Sequence, residues 1–251
     1  MIITSSKELM DRYDELGRGD IFIGKPGSGE LKQFLLIDLL ERGVLCVPSP
    51  LSQIISGSKV VQTLLLNKRM LPNTLVISRR KNLMDAVGLF NRTGTAHVVT
   101  KEDRMHCGHG IRKWESIETL YSFISMSESS YPFIVQPYVE CFTDLRVIVA
   151  GDYAEAYARH NPDNFRMNMA AGGSSRPVDL DADKERFCRA VMERGKFPYA
   201  HIDIMVASDG KYYLSEIALN GGIKGARIGR VELEQRKQEI TDRLIRECIK
   251  E

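Results

Sequence analysis

Short turns between adjacent strands constrain the fold of the second half of the chain more than any other feature. Strands are predicted over 145–150 and 153–159, with only Gly151-Asp152 between them. A second pair, over 200–206 and 211–217, forms a hairpin across Ser208-Asp209-Gly210. Turns of this length and composition are typical of β-hairpins. The second half is therefore predicted to be rich in paired strands.

The first half has a different pattern, in which short strands alternate with helices. Apolar residues at helical spacing predict a helix over 31–42 that stops at Gly43, and Ser58 is a candidate N-cap for a helix over 59–68. Together the two halves predict an α+β protein. The other predicted strands are 20–24, 44–47, 74–78, 96–101 and 133–136, and the other predicted helices are 83–91, 114–125, 181–194 and 231–249, with a long polar stretch over 161–177.

Composition excludes several classes of protein. A formal net charge of +2 is too small to indicate nucleic acid as a bulk partner. No segment approaches the roughly 20 apolar residues that span a bilayer. The 5 cysteines are scattered and odd in number, which favours reduced thiols in the cytoplasm over a disulfide framework.

Two carboxylates on the last predicted hairpin form the first candidate site. Strand alternation turns His201 and Asp203 to one face, and pairing brings Glu216 close to Asp203. Two converging carboxylates suit Mg²⁺, which completes its shell with phosphate and water. From spacing alone, two solvated charges at strand ends explain the pattern equally well.

A lysine and a glycine-containing loop form the second candidate site. The strand over 96–101 delivers Lys101 into residues 105–110, which include Gly108 and Gly110. Glycines let backbone amides approach phosphate oxygens, and lysine supplies a positive charge. The ending of a P-loop is absent. His106, Cys107 and His109 match no standard zinc spacing, so a phosphate-covering loop is preferred to a metal site.

The segment over 133–140 is the third candidate. It predicts a buried strand, including Gln136, that runs into a connection broken by Pro137. The backbone of such a connection can bind an adenine edge, and Glu140 can accept hydrogen bonds from ribose hydroxyls. An ordinary linker remains an alternative.

In this order the segments resemble the ATP-grasp superfamily, most closely the RimK-type peptide ligases, over residues 58 to 230. The resemblance implies two α+β lobes that clasp a nucleotide, after a reduced N-terminal α/β segment. The implied boundaries are 1–52 for that segment, 53–133 for the small lobe and 134–251 for the C-terminal lobe.

The resemblance also implies roles for individual residues. Lys59 and Lys101 would hold the ATP phosphates under the loop of Gly108 and Gly110. Mg²⁺, or Mn²⁺ as an alternative, would complete the site. The remaining implied contacts are adenine for Gln136, Pro137 and Tyr138; ribose for Asp144 or Glu140; γ-phosphate and acyl group for Arg166 and Asn168; the acceptor carboxylate pocket for Arg146; and metal for Asp203 and Glu216.

The sequence departs from the family pattern in two places. The family usually has Glu-x-Asn for its last two metal ligands, and this chain has Glu216-Ile217-Ala218. Asn220, or water, would then replace the missing ligand. The short N-terminal segment implies either a reduced domain or completion by a homodimer or another subunit.

The resemblance implies ATP-dependent ligation of a small-molecule or peptide carboxylate to an amine or thiol, through an acylphosphate. Two alternatives stay open: a nucleotide-binding module without ligase activity, which Ala218 motivates, and a kinase that phosphorylates a small molecule. Neither nucleic acid nor membrane is an expected partner.

Overall fold

The N-terminal segment contains a small parallel sheet. The computed structural model describes residues 1–27, 29–105, 108–126, 131–167 and 172–249. Strands β1 (Ile2–Ile3), β2 (Ile21–Ile23) and β3 (Leu45–Val47) pair in that order, and helices α1 (Ser6–Asp11) and α2 (Lys32–Glu41) accompany them. Leu9, Phe22 and Leu36 are fully buried in their common core. The strands at 20–24 and 44–47 were predicted, whereas β1 and α1 were not.

Helices α3 (Pro50–Gly57) and α4 (Lys59–Leu66) lead into a second sheet, with Ser58 as the N-cap of α4. Its strands are β4 (Leu75–Ile77), β5 (Val98–Glu102), β6 (Ile111–Trp114) and β7 (Phe133–Pro137), in the order β4-β7-β5-β6. We call this second sheet the covering sheet. Helices α5 (Arg80–Arg92) and α6 (Ile117–Met126) pack on one of its faces. β7 starts at the predicted boundary between the lobes.

The C-terminal half forms the main sheet, which is antiparallel throughout. Its strands are β8 (Phe142–Ala150), β9 (Tyr153–His160), β10 (Ser174–Val178), β11 (Tyr199–Ala207) and β12 (Tyr212–Ala218), in the order β10-β9-β8-β11-β12. Helix α7 (Ala182–Gly195) covers one face with α3 and α4, and α8 (Arg230–Ile249) covers part of the other. The predicted hairpins and the α+β class are confirmed.

Some secondary-structure predictions were wrong. Trp114 was placed in a helix but ends β6, where it pairs with Val98 and its Nε1 donates to Thr100 Oγ1 at 2.9 Å. The polar stretch over 161–177 contains most of β10, an edge strand whose exposed polar side chains hide it from hydrophobic periodicity. α4 ends at Leu66 and a 3₁₀ turn follows it.

Within the described residues, no helix combines the length and the apolar character that a bilayer crossing requires.

Candidate active site

The open part of the main sheet carries charged side chains on one face. Alternation along β8 puts Asp144 and Arg146 on the face that α7 does not cover, and Leu145 on the opposite, packed face. The strand register then sets Asp203 of β11 opposite Arg146, and Arg159 of β9 opposite Asp144. Local strand periodicity thus brings four charges from three strands together.

These charges form a buried ion network. Arg146 donates from Nε to Asp203 Oδ1 at 2.6 Å and from Nη2 to Oδ2 at 2.8 Å. Arg159 donates to both oxygens of Asp144, at 2.8 and 2.9 Å, and its Nη2 lies 2.9 Å from Asp203 Oδ2. Two guanidinium groups therefore compensate two carboxylates where the protein excludes most water.

The network determines the protonation of Asp203. Burial by itself would raise the pKa of this carboxyl group, but the charges of Arg146 and Arg159 outweigh burial and hold the pKa below its usual range. Conversely, the pKa of Arg146 is raised by Asp203 in spite of burial. Asp203 is therefore an anion at neutral pH.

A β-bulge brings a second carboxylate beside this network. Asp203 pairs with Glu216, but Ile204 pairs with Leu214, so Ser215 is an extra residue in β12. Bulges redirect side chains, and here both Ser215 and Glu216 line the cavity under the covering sheet. Asp203 and Glu216 lie together, as the sequence predicted.

Two lysines face these carboxylates from the other lobe. Lys59, at the start of α4, lies with Nζ 3.6 Å from Glu216 Oε1 and donates to the Met105 carbonyl oxygen. Lys101 of β5 lies with Nζ 3.3 Å from Ser215 Oγ. The lysines and carboxylates therefore line the same cavity.

Lys101 has an unfavourable environment for a free ammonium. Part of its side chain faces the cavity, yet protein surrounds the ammonium group. Burial lowers the pKa of Lys101, and the charge of Lys59 lowers it further, although Glu216 and Asp203 oppose this shift. An added anion in the cavity would relieve the repulsion between the two ammonium groups.

The chain just before the glycine-containing loop of residues 105–110 is hydrogen-bonded to the start of α4. Asp103 accepts hydrogen bonds from Ser58 Oγ at 2.8 Å and from the Val60 amide at 3.0 Å. Gly108 and Gly110 have φ of +77° and +72°, which favours glycine at both positions. Gly108 lines the cavity.

The connection that begins at the end of β7 lines another part of the cavity, together with a set of apolar side chains. Gln136, Pro137 and Tyr138 line it, and the Tyr138 amide donates to the His97 carbonyl oxygen at 2.9 Å. That amide is therefore engaged within the protein. The apolar lining is supplied by Val99, Ile111, Val139, Phe142, Phe165, Met167 and Met205.

Arg166 also lines this cavity, where its Nη2 donates to the Ile111 carbonyl oxygen. Glu140 is exposed and is not among the lining residues. Asn168 lies outside the described residues, as do His106 and Cys107. The functional roles given to these residues stay predictions.

Asn220 lies beyond the end of β12, beside a second cavity that adjoins the first. Its Oδ1 accepts a hydrogen bond from Lys237 Nζ at 2.8 Å. Metal binding by Asn220 would have to compete with this charged donor, because both use the same oxygen.

Several lining residues were absent from the predicted site, and strand alternation would have found some of them. Val99, Phe142 and Met205 lie two positions from Lys101, Asp144 and Asp203, respectively, and so share their faces. No comparable signal identifies Phe165, which lies outside the strands. Arg159, which was not among the predicted site residues, belongs to the ion network.

Buried Gln62 of α4 was also missed. It donates to the carbonyl oxygens of Ile55 and Ile217 at 2.9 and 3.0 Å, and its Oε1 accepts from the Ile217 amide at 3.1 Å. Gln62 therefore ties the backbone of β12 to α4 next to Glu216.

In chemical terms, the cavity fits a nucleotide with its metal. The apolar end suits a base, and the lysine pair suits phosphates. Within the described ranges, histidine, cysteine, aspartate and glutamate side chains nowhere form a group of three that could hold a metal. Mg²⁺ is often held by one or two carboxylates together with substrate phosphates, so Asp203 and Glu216 are the candidate ligands among the described residues of this cavity.

Comparison with known proteins supports this interpretation. The model of the RimK-like ATP-grasp domain matches residues 57–240. Coenzyme γ-F420-2:α-L-glutamate ligase from Methanococcus maripaludis is 28% identical over 147 residues, which cover 55% of this chain and 50% of that protein. The chain thus spans about half the length of this relative.

Solved structures show the same fold. D-cycloserine synthetase DcsG aligns with a TM-score of 0.64 at 15% identity, covering 90% of this chain and 83% of that one. D-alanyl-alanine synthetase A from Vibrio cholerae aligns with a TM-score of 0.59 at 16% identity, covering 90% and 77%. The ATP-grasp ligase PsnB, complexed with a precursor variant, Mg and ADP, aligns with a TM-score of 0.57 at 17% identity, covering 84% and 68%. The predicted ATP-grasp fold is confirmed.

Proposed function

Because this chain belongs to the RimK-like ATP-grasp family, we propose that it is an ATP- and Mg²⁺-dependent ligase that joins a carboxylate to an amine. One observation carries the proposal. Lys59 and Lys101 line one cavity together with Asp203 and Glu216, and apolar side chains line the rest of that cavity. That cavity adjoins a second one, which offers space for another substrate.

ATP is proposed to bind with its base against Val99, Phe142 and Met205. Its phosphates then extend toward Lys59 and Lys101, where negative charge compensates the two ammonium groups. Gly108 of the loop lines the same cavity.

Asp203 and Glu216 would hold Mg²⁺, and Mn²⁺ would substitute for it because both ions bind oxygen ligands. When bound, the metal neutralises charge on the phosphates and orients them for transfer. Glu216 is the more accessible ligand, with 32% of its side chain exposed against 9% for Asp203. Asp203 must exchange part of its guanidinium contacts to bind a metal.

The proposed reaction has two steps. A carboxylate oxygen attacks the γ-phosphorus of ATP, the bond to the β,γ-bridging oxygen breaks, and ADP leaves with the electron pair. The amine nitrogen then attacks the carbonyl carbon of the acylphosphate. Inorganic phosphate leaves, the nitrogen loses a proton to solvent, and an amide forms.

The chain contributes positioning and charge in this reaction. Lys59, Lys101 and Arg166 offset the negative charge that is spread over the transferred phosphoryl group. Arg146 lies at the junction of the two cavities, where it can orient the attacking carboxylate. Closure of the covering sheet over the main sheet would protect the acylphosphate from water.

A nucleotide-binding module without ligase activity is the second candidate function. Ala218 supplies no ligand atom, and the oxygen of Asn220 is bound by Lys237. Replacing Ala218 with Asn tests this candidate, because a large gain in ATP turnover would indicate a degraded active site.

Coupled measurement of ADP release and product mass tests the ligase proposal. We expect ADP release from ATP·Mg²⁺ to rise with a suitable carboxylate and amine, and Lys101→Met to abolish the rise. Absence of ATP·Mg²⁺ binding at millimolar nucleotide would contradict the proposal. A stable phosphorylated product without an amide would identify a kinase instead.

A further inference from the structure

The second cavity lies between the main sheet and the N-terminal segment. It shares Arg146, Arg159, Asp203 and Glu216 with the nucleotide cavity. Its other charged lining residues are Lys25 and Lys32, which precede the part of the chain matched by the family model, and Lys224 in the glycine-containing segment after β12. The shared residues mark the junction of the two cavities, and the three lysines line only the second.

Cationic groups outnumber anionic groups in this lining. Arg146 and Arg159 are paired with the aspartates of the ion network. By contrast, Lys25, Lys32 and Lys224 form no ion pair within the described part of the chain. Three uncompensated ammonium groups therefore line one cavity.

The two lysines of the N-terminal segment also repel one another. Partial burial lowers the pKa of Lys32, and the charge of Lys25 lowers it further. Burial likewise lowers the pKa of Lys25, with a smaller contribution from Lys237. An anion bound between these cations would relieve their repulsion.

We propose that the second cavity binds the carboxylate substrate, and that this substrate carries at least one further anionic group, which Lys25, Lys32 and Lys224 bind. The inference rests on the proposed ligase function. The carboxylate that becomes activated lies at the junction with the nucleotide cavity, beside Arg146. The additional carboxylate or phosphate group lies toward the N-terminal segment, so that this segment selects the substrate.

The size of the effect follows from the chemistry of the contact. A hydrogen bond between charged groups that are partly shielded from water changes affinity by about tenfold or more. A substrate with only one carboxylate would make none of the contacts to Lys25 and Lys32. The cavity therefore distinguishes dianions from monoanions of similar size.

Calorimetry with three probes tests the proposal. Butanoate carries one carboxylate, glutarate carries two, and 3-phosphonopropionate carries one carboxylate and one phosphonate. Titrations are made with and without saturating ADP·Mg²⁺, on the wild type, on Lys25→Gln/Lys32→Gln and on the control Lys7→Gln/Lys68→Gln. The control lysines are exposed and lie outside both cavities.

We expect one of the dianions to bind at least about tenfold more tightly than butanoate. Lys25→Gln/Lys32→Gln should remove that preference and leave ADP affinity unchanged, and the control variant should behave as the wild type. The preferred dianion then shows whether the second group is a carboxylate or a phosphate. Lys224→Gln, in an exposed position, gives an independent second variant.

Equal affinity of the wild type for all three probes would overturn the inference. So would a control variant that loses the preference for a dianion as fully as Lys25→Gln/Lys32→Gln does. Failure of ADP·Mg²⁺ to bind would instead contradict the proposed function. The titrations without nucleotide still decide whether the cavity prefers dianions, so the two failures are distinguishable.

Discussion

At the scale of single residues, the site contains buried ionised side chains that are stabilised by neighbouring groups of opposite charge. Asp203 is buried, and its carboxylate is stabilised because Arg146 and Arg159 both donate to it. Removing one member of a buried ion network leaves its partners uncompensated, which costs more than the network contributes to stability when intact. The carboxylate is thus needed for the folded state as well as for the proposed metal.

Asp203→Asn is expected to lower the free energy of unfolding by about 3–5 kcal/mol at pH 7, measured by urea denaturation. Asp209→Asn, in an exposed hairpin turn, is the control and should leave the unfolding midpoint unchanged. Because the pKa of Asp203 is lowered in the folded state, its contribution is present above the unfolded pKa. The difference between wild type and variant should therefore shrink as the pH falls below 3.8, the ordinary value. A difference that grows on acidification would contradict this explanation.

His201 is a second buried polar residue, and its environment differs from that of Asp203. Neither ring nitrogen has a hydrogen-bond partner among the described residues. Burial lowers the pKa of His201 to about 3, with smaller contributions from the charges of Lys237 and Arg146. The folded protein therefore holds the ring neutral in a range where the unfolded chain binds a proton.

Because the pKa of His201 is lower in the folded than in the unfolded state, the unfolded state binds a proton first as the pH falls. The free energy of unfolding should therefore decrease from about pH 6.5 toward about pH 3. The expected slope from this residue is about 1.4 kcal/mol per pH unit. His201→Phe should flatten the profile measured by denaturation at a series of pH values. His160→Phe, at an exposed position, should keep the wild-type slope, and identical profiles for wild type and His201→Phe would reject the assignment.

At the scale of secondary-structure elements, the sequence predicted those features that depend on the alternation of side chains along a single strand. Asp203 and Glu216 were placed together because two adjacent strands of a hairpin carry them. The bulge at Ser215, the pairing of Arg159 with Asp144 and the link from Gln62 to β12 were not predicted. Each depends on register or on packing between segments distant in sequence, and these are set by tertiary structure.

Gln62→Met tests whether such a link positions the site. The variant keeps a side chain of similar size but leaves the amide and carbonyl of Ile217 without their partner, so unfolding free energy should fall by about 1–3 kcal/mol. Because Glu216 is adjacent, we expect the folded variant to have a lower kcat or to require a higher Mg²⁺ concentration than the wild type. The effect should be larger than the loss of folded protein alone would cause. Gln238→Met, on the exposed face of α8, is the matched control. A loss of stability with unchanged Mg²⁺ dependence would show that the link is only structural.

At the scale of the whole molecule, the two lobes present complementary charge to one cavity. The covering sheet supplies Lys101, α4 supplies Lys59, and the main sheet supplies Asp203 and Glu216. The charge of Lys101 lies in surroundings that disfavour it, as its lowered pKa shows. A bound nucleotide with its metal would compensate both walls together and so couple the lobes.

Lys101→Met follows from this coupling and separates stability from function. Without ligand, the variant should unfold at the same temperature as the wild type or a higher one, because a buried ammonium group is replaced by an apolar side chain of similar length. With ATP·Mg²⁺ at about 100 times its Kd, the wild type should gain about 2.7 kcal/mol, observed as a rise in Tm by differential scanning calorimetry. The variant should lose most of that gain, whereas the exposed control Lys68→Met should keep it. A variant that is less stable without ligand, yet gains as much from ATP·Mg²⁺ as the wild type, would place the phosphates elsewhere.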